Sequence, residues 1–530
     1  MSYSGKTFDI PFSGGGLTFA PNTDDISPVM MVDGTRNIDL HVRGRGTRGG
    51  TAHVNTTVIP GLPRIMGLYD FILRNGNQFM VMATSDGNLY RDESNTIKTG
   101  LTANRQTNFE VMNNKLYAVN GADTPQLWTG SGDTSDLGSL PGAWSSGNYP
   151  SYFIKHGRGL SERMFALGIA NDPSRLYYST LNNGVTDATF TGAGSGSIYI
   201  ETGDGDGIVG GIEFGDRLIL FSKTRAYILD DTDTDTANWG YSQAQWGDGA
   251  AHGRVLIKTP NDLVAMTEDG DIYSVIAAES YGDYQQASIA RPAFIDTWIR
   301  EECNLSLVDD FHGVYDPVLR AIYFFVVRTG QTQIDRALVY YIDRGPQQGW
   351  MIHDNLTSVS GFSASSSALF KAAAGSFKIY TGGYSGFVWK LNEESVNDNS
   401  NGYRASIKTP NMPFQDAQGL SLVRLTKKYL RGWGIVQAKG DFDINVDIWV
   451  DGIKKTSQTL NMIGSTEVWG GANWGAFAWG SKKELIEKTF DIGTTGKRIQ
   501  FEFYNENVDE GFFMSKEQID YKALGKRPAA

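Results

Sequence analysis

A short apolar strand, a tight turn and a second strand recur seven times along this chain. The first strands centre near Phe79, Leu116, Met164, Leu218, Leu263, Ile322 and Ile379, and the second near Leu89, Leu127, Leu176, Tyr227, Ile272, Val339 and Val388. Six of the seven pairs have centres 9 to 12 residues apart, the sixth pair is separated by 17, and successive first strands lie 37 to 59 residues apart. The plainest copies carry Asp86-Gly87, Asp269-Gly270 and Ser385-Gly386 between the two apolar runs. Asp-Gly in that place marks a hairpin, because a two-residue turn asks for positive φ at both central positions. A lone hairpin cannot bury its apolar face. Stacking such units around an axis solves this, with blades of about four strands and roughly 40–50 residues each. The expectation is an all-β chain with a β-propeller of about seven blades over residues 61–404, six or eight blades also being compatible. Two or three β-sandwiches in series are the competing arrangement.

The ends of the chain break the pattern. Residues 1–60 are polar and Gly-rich and contain Arg43-Gly44-Arg45-Gly46-Thr47-Arg48-Gly49-Gly50. With too little apolar content for a core, this stretch is expected to be an extended arm that docks one or two strands on a partner surface. From about residue 405 strict alternation takes over. Phe442, Ile444, Val446, Ile448 and Val450 fall on one face, and Ile499, Phe501 and Phe503 repeat the pattern, as in half-buried antiparallel strands. Residues 405–530 therefore read as a C-terminal β-sandwich. Between these strands lies a Trp- and Gly-rich loop with Trp469, Trp474 and Trp479. Such a loop either packs on a neighbouring subunit or plugs its own sandwich.

Composition narrows the function. The 63 glycines among 530 residues suit many tight turns, and the net charge of −12 argues against gripping nucleic acid through overall charge. A single cysteine, Cys303, rules out a disulfide within the chain and reads as a small buried residue. Met1 to Lys6 lack the apolar stretch of a secretory leader. No His-Glu-x-x-His or Gly-x-Ser-x-Gly elbow is present, and Gly493-Thr494-Thr495-Gly496-Lys497-Arg498 has the wrong spacing for a phosphate loop. The six histidines stand singly. The Asp204/Asp206 turn and the run Asp230-Asp231-Thr232-Asp233-Thr234-Asp235 resemble fragments of calcium loops but lack the repeats, or the Gly and closing Glu, that complete one. The expectation is a protein without enzymatic activity or cofactor. Carboxylates are plentiful enough for a glycosidase pair, yet nothing in the sequence selects one.

The order of motifs resembles the tail nozzle proteins of short-tailed bacteriophages, also called tail tube or tail stabilisation proteins. The pieces are Asn37-Ile38-Asp39-Leu40 followed by Arg48-Gly49-Gly50, then Asp86-Gly87-Asn88-Leu89-Tyr90, then the segment from Leu116 to Trp128 with Asn120-Gly121-Ala122-Asp123-Thr124-Pro125 at its centre. Arg163-Met164-Phe165-Ala166, Asn171-Asp172-Pro173-Ser174-Arg175, Arg217 to Lys223 and Gly386-Phe387-Val388-Trp389 follow. Gly49 stands where many such proteins have proline.

That resemblance implies a structural virion protein of the tail, made in the host bacterial cytoplasm. It implies a homo-oligomeric ring, usually a hexamer, below the portal and head–tail adaptor, with fibres or spikes outside. The ring retains the genome and lets DNA pass without sequence-specific binding, and the arm and sandwich form its platform. On this reading Arg43, Arg45, Arg48, Trp469, Trp474 and Trp479 are interface residues. The rival is a carbohydrate-binding or glycan-cleaving propeller using the 12 tryptophans and 24 tyrosines. A cellular scaffold that binds peptides is a third option.

Overall fold

The seven strand pairs read from the sequence are the second and third strands of seven antiparallel sheets in the computed structural model. All the anticipated centres fall in strands, from Phe79 in Gln78–Thr84 to Val388 in Val388–Glu393. The structure describes residues 6–524 apart from 13, 42–43, 94, 185, 247, 282–286, 355–362, 373–374, 413, 415–420, 438–441 and 463–484. Each sheet opens with an inner strand: Ile65–Ile72, Asn108–Met112, Tyr152–His156, Gly210–Phe214, Leu256–Lys258, His312–Asp316 and Ser366–Lys371. These inner strands contact one another in sequence, and the last contacts the first. The chain is a closed seven-bladed β-propeller.

The Asp-Gly turns depart from the expected pattern in one respect. Gly87 and Gly270 take φ of +79° and +86°, whereas Asp86 and Asp269 do not enter the left-handed region. Each Asp instead accepts a 2.5 Å hydrogen bond from the hydroxyl of Thr84 or Thr267, two residues earlier. The side chain thus closes the turn, and only the glycine supplies positive φ.

The fifth blade has three strands, ending at Ile272–Ser274. Helices Val275–Tyr281 and Ile295–Glu302 follow, which the strand-only reading missed. In the second helix Ile295, Trp298 and Ile299 are buried at helical spacing, a short 3.6-period signal inside a strand-rich chain.

The first 53 residues are not a free arm. The strand Gly50–His53 forms the outer edge of the seventh blade, with Trp389 opposite His53 and Lys390 opposite Ala52. Blade seven is therefore built from both ends of the propeller sequence, which locks the ring. Lys6–Pro11 pairs with Phe513–Ala523, as does Gly44–Thr47, itself paired to Ile38–His41. These strands join Lys427–Gln437 and Leu485–Asp491 in one sheet. The facing sheet runs Ala405–Lys408, Ile499–Asn505, Asp443–Val450, Ile453–Asn461. Ile444, Val446, Ile448, Val450, Ile499, Phe501 and Phe503 are fully buried, as the alternation required. One hydrophobic core runs from blades five to seven into this sandwich.

Arg45 and Arg48, expected at an interface with a neighbouring subunit, lie inside the chain at 1% and 3% exposure. This corrects the sequence reading, and the reason is pairing. Arg48 holds Asp398 through two bonds of 3.0 and 2.6 Å, donates to Asn37 Oδ1 at 3.0 Å and lies 3.9 Å from the Tyr403 ring centroid. Burial opposes its charge, but Asp398 holds the guanidinium well above the ordinary range. Arg45 donates to the carbonyls of Gly15 and Val29. Burial, reinforced by the Arg344 charge, lowers it to about 9. Gly49 and Gly50 follow because the backbone of residues 392–397 passes close by. A Cβ at Gly50 would sit 2.1 Å from the Asn397 carbonyl oxygen. Arg43, Trp469, Trp474 and Trp479 lie outside the described residues.

The sandwich also buries Glu517, which is fully inaccessible and among the described residues has no hydrogen-bond partner on either carboxylate oxygen. It faces Ile10 and Gly434 across the ladders, and burial raises its pKa well above the carboxylate range. A raised pKa means that its contribution is fully present below about pH 4.5 and is lost as the pH rises. Glu517→Leu should therefore raise the unfolding free energy by about 1–3 kcal/mol at pH 8, with a smaller gain at pH 4. Denaturant melts at the two pH values measure this. Breaking the other buried pair has the opposite sign. Asp398→Asn should cost about 3–5 kcal/mol, and a loss below about 1 kcal/mol, the range of a surface pair, would show that the pair does not hold the fold together.

Candidate propeller channel

The inner strands of the seven blades surround a cavity of about 580 Å³. Close packing of the blades sets its width. Gly67 and Gly313 sit on inner strands where a Cβ would lie 2.4 Å from the Thr107 carbonyl oxygen and 2.3 Å from Ile257 Cδ1. Only glycine permits that approach.

All inner strands begin at the same end of the channel. Near their starts lie Gln106, Tyr152, Arg254, His312, Ser366 and Ser367; near their ends lie Tyr69, Glu110, Lys155, Glu213 and Lys258. Glu110 accepts from its own neighbour Val111 N at 2.9 Å and from Lys155 N at 3.2 Å. Burial raises its pKa, and the nearby Glu213 charge adds to the shift.

Three histidines join blades. His156, on blade three, lies 3.3 Å from Glu213 and 3.2 Å from Asp231, both of blade four. Burial opposes protonation there, yet the two carboxylates, Asp231 foremost, raise its pKa. His252 and His312 are the opposite case. His252 Nε2 donates to the Val308 carbonyl at 2.9 Å and its Nδ1 accepts from Arg254 N at 3.2 Å. Burial and the Arg254 charge lower it to about 3. His312 lies 3.2 Å from the Ala364 carbonyl and 2.8 Å from the Ser367 hydroxyl. Burial and the same arginine hold it well below 6.5. Both rings are neutral hydrogen-bonded bridges.

The acidic clusters singled out in the sequence are turns with internal partners. The Thr224 hydroxyl lies 2.9 and 3.0 Å from the Asp204 and Asp206 carboxylates. Asp235 caps Ala237 N at 3.0 Å, and Asp231 belongs to His156. Among the described residues no group of three His, Cys, Asp or Glu side chains is placed to hold a metal ion. Cys303 is buried, and burial pushes its thiol up to about 12, away from nucleophilic chemistry. No helix among the described residues is long and apolar enough to cross a membrane.

Sequence reasoning missed Arg254, Gln106 and Glu110. Glu110 left a trace, a charged residue in the run Asn108-Phe109-Glu110-Val111-Met112, but a carboxylate on a strand carries no mark of the channel it faces.

The histidines predict the pH response. His252 and His312 have depressed pKa values, so the stability they supply is present above about pH 6.5 and is lost as the pH falls below it. His156 contributes below pH 6.5, and that share is lost as the pH rises through its raised value. Replacing His252 with Gln should flatten the fall in melting temperature between pH 6.5 and 5, whereas His156→Gln should lower the melting temperature more at pH 6 than at pH 8. Thermal melts across this range measure both effects, and parallel curves for wild type and variants would contradict the assignment.

No family model matches the chain, and no curated protein matches it. Among solved structures it is similar to BBS1N in its complex with ARL6DN, at TM-score 0.39 and 8% identity over 66% of this chain and 98% of that one. It is also similar to the WD40 domain of Neurospora crassa Pan2, at 0.37 and 10% over 66% and 98%. A third likeness is YCF48 from Cyanidioschyzon merolae, at 0.38 and 11% over 65% and 98%. Likenesses this low carry no argument about function, and the propeller assignment rests on the strand pairing itself.

Proposed function

We propose that this chain is a structural part of a bacteriophage virion. Copies of it form the nozzle of a short tail below the portal and adaptor, retain the genome and conduct DNA during ejection. The observation that carries the proposal is the path of the first 53 residues, which supply three strands to the sandwich and one to blade seven. Propeller and sandwich are thereby tied into one body, as a part that transmits force between neighbours requires. The order of sequence motifs shared with tail nozzle proteins supports the same reading. Two further features favour self-association. Among the described residues Ile453–Asn461 and Leu485–Asp491 are the outermost strands of their sheets, with Ile453 and Leu485 exposed, and a strand edge of this kind is a template for another chain. The net charge of −12 suits a conduit that must not hold DNA.

A second reading, a carbohydrate-binding or glycan-cleaving propeller, is favoured by one observation. Glu110, whose pKa burial raises, lines the same cavity as Glu213, and two carboxyl groups facing one cavity are what glycoside hydrolysis uses.

Light scattering on the purified chain, alone and mixed with tail-deficient particles, separates the two. The nozzle proposal expects a closed ring in solution or a monomer that assembles on the particles and restores ejection. A monomer that never joins a particle, together with glycan hydrolysis abolished by Glu110→Gln, would establish the second reading instead.

A further inference from the structure

Arg254 stands at the start of blade five and lines the channel cavity; it is half-buried, with its Nη1 shut off from solvent, and has no ion-pair partner among the described residues. Its Nη2 donates to the Asp309 carbonyl, its Nη1 makes no hydrogen bond, and among the described residues no carboxylate oxygen lies within the 4.0 Å of an ion pair. The Tyr152 hydroxyl lies beside it and favours its charge most, while Asp310 and Asp309 act from beyond ion-pair distance. Asp310 is already taken by Arg64 at 2.6 Å. The neutral ring of His312 supplies no charge. A half-buried guanidinium whose inner nitrogen has no partner is costly, and a cavity beside it invites an anion. Gln106 lines the same cavity from the segment before blade two, and both its amide atoms are buried without partners. That amide offers two donors and one acceptor. The acceptor is satisfied by a ligand hydroxyl and not by a bare oxyanion. Tyr152 and Phe109 add aromatic walls, and the volume lies within the range of small-molecule pockets.

We infer that the propeller channel is a binding site for a small hydroxylated carboxylate of the sugar-acid class, with Arg254 taking the carboxylate and Gln106 a hydroxyl. The site is independent of the nozzle proposal: a structural subunit can carry it as readily as a free propeller.

Thermal unfolding of the full chain tests it, because a ligand that binds only the folded state raises the midpoint. Glucuronate, glucose and sulfate are compared at about 10 mM, well above the millimolar affinity of a weak site. Glucuronate should raise the midpoint and glucose should not. Gln106→Leu should weaken the glucuronate response about tenfold in apparent affinity, and Arg254→Gln should abolish it. Arg254 also holds the Asp309 carbonyl, so if R254Q fails to fold, Q106L alone decides. No response to glucuronate, or a response that survives Q106L, overturns the site. An equal response to sulfate, which carries no hydroxyl at neutral pH, overturns the hydroxylated ligand class, since the Gln106 acceptor would then have no role.

Discussion

Arg48 and Asp398 are 350 residues apart and bound to each other in the interior. Around them meet three stretches that would otherwise have no reason to be adjacent. Asn37 accepts from Arg48 and donates to the Arg404 carbonyl at 2.7 Å, and it also binds Asp354 at the end of blade six. Thr51, on the strand that closes the propeller, donates to Asp398 at 3.1 Å, and the Tyr403 hydroxyl donates to the Arg48 carbonyl. Two buried charges are tolerated because every group on them has a partner with good geometry. The propeller seam, the crossing from propeller to sandwich and the N-terminal strands all pass through this cluster.

Its consequence is mechanical. A propeller closed by one hairpin of local sequence can open at its seam. Here the closing strand is anchored at Arg48 immediately before it and at Asp398 immediately after the blade it completes. The sandwich in turn contains strands from both termini, so neither unit can separate without breaking ladders in the other. The buried Glu517 runs against this economy. It lies where an apolar side chain would pack, and the fold carries it at a cost to stability near neutral pH.

The propeller was legible because its information is local. Most of the hairpins are written in about ten neighbouring residues: an apolar run, a turn that in most blades has Gly at a position of positive φ, and another apolar run. The alternation from Ile444 to Val450 and from Ile499 to Phe503 was legible for the same reason, since period two appears within a single strand. The helices after blade five were lost because seven or eight residues barely span two turns and their apolar positions also suit a strand. The channel was not legible at all. Arg254, Gln106, Glu110 and His312 come from three different blades or the segments leading into them, and only closure of the ring puts them around one cavity.

The N-terminal segment marks the boundary between the two kinds of information. Its low apolar content indicated that residues 1–60 would not build a core of their own; in the fold Lys6–Pro11, Gly44–Thr47 and Gly50–His53 pair with strands from elsewhere in the chain, and Ile38–His41 pairs with Gly44–Thr47. Which surface they would join was decided by tertiary structure. A polar strand with unpaired backbone groups accepts any complementary edge, so the same composition suits a neighbouring subunit or its own chain. The edge of blade seven and the long Phe513–Ala523 strand settle the matter, together with a carboxylate at Asp398 that gives Arg48 a reason to be inside. Charge on a side chain is visible in sequence. Whether it faces water or a buried counter-charge depends on a contact hundreds of residues away, and no local pattern encodes that.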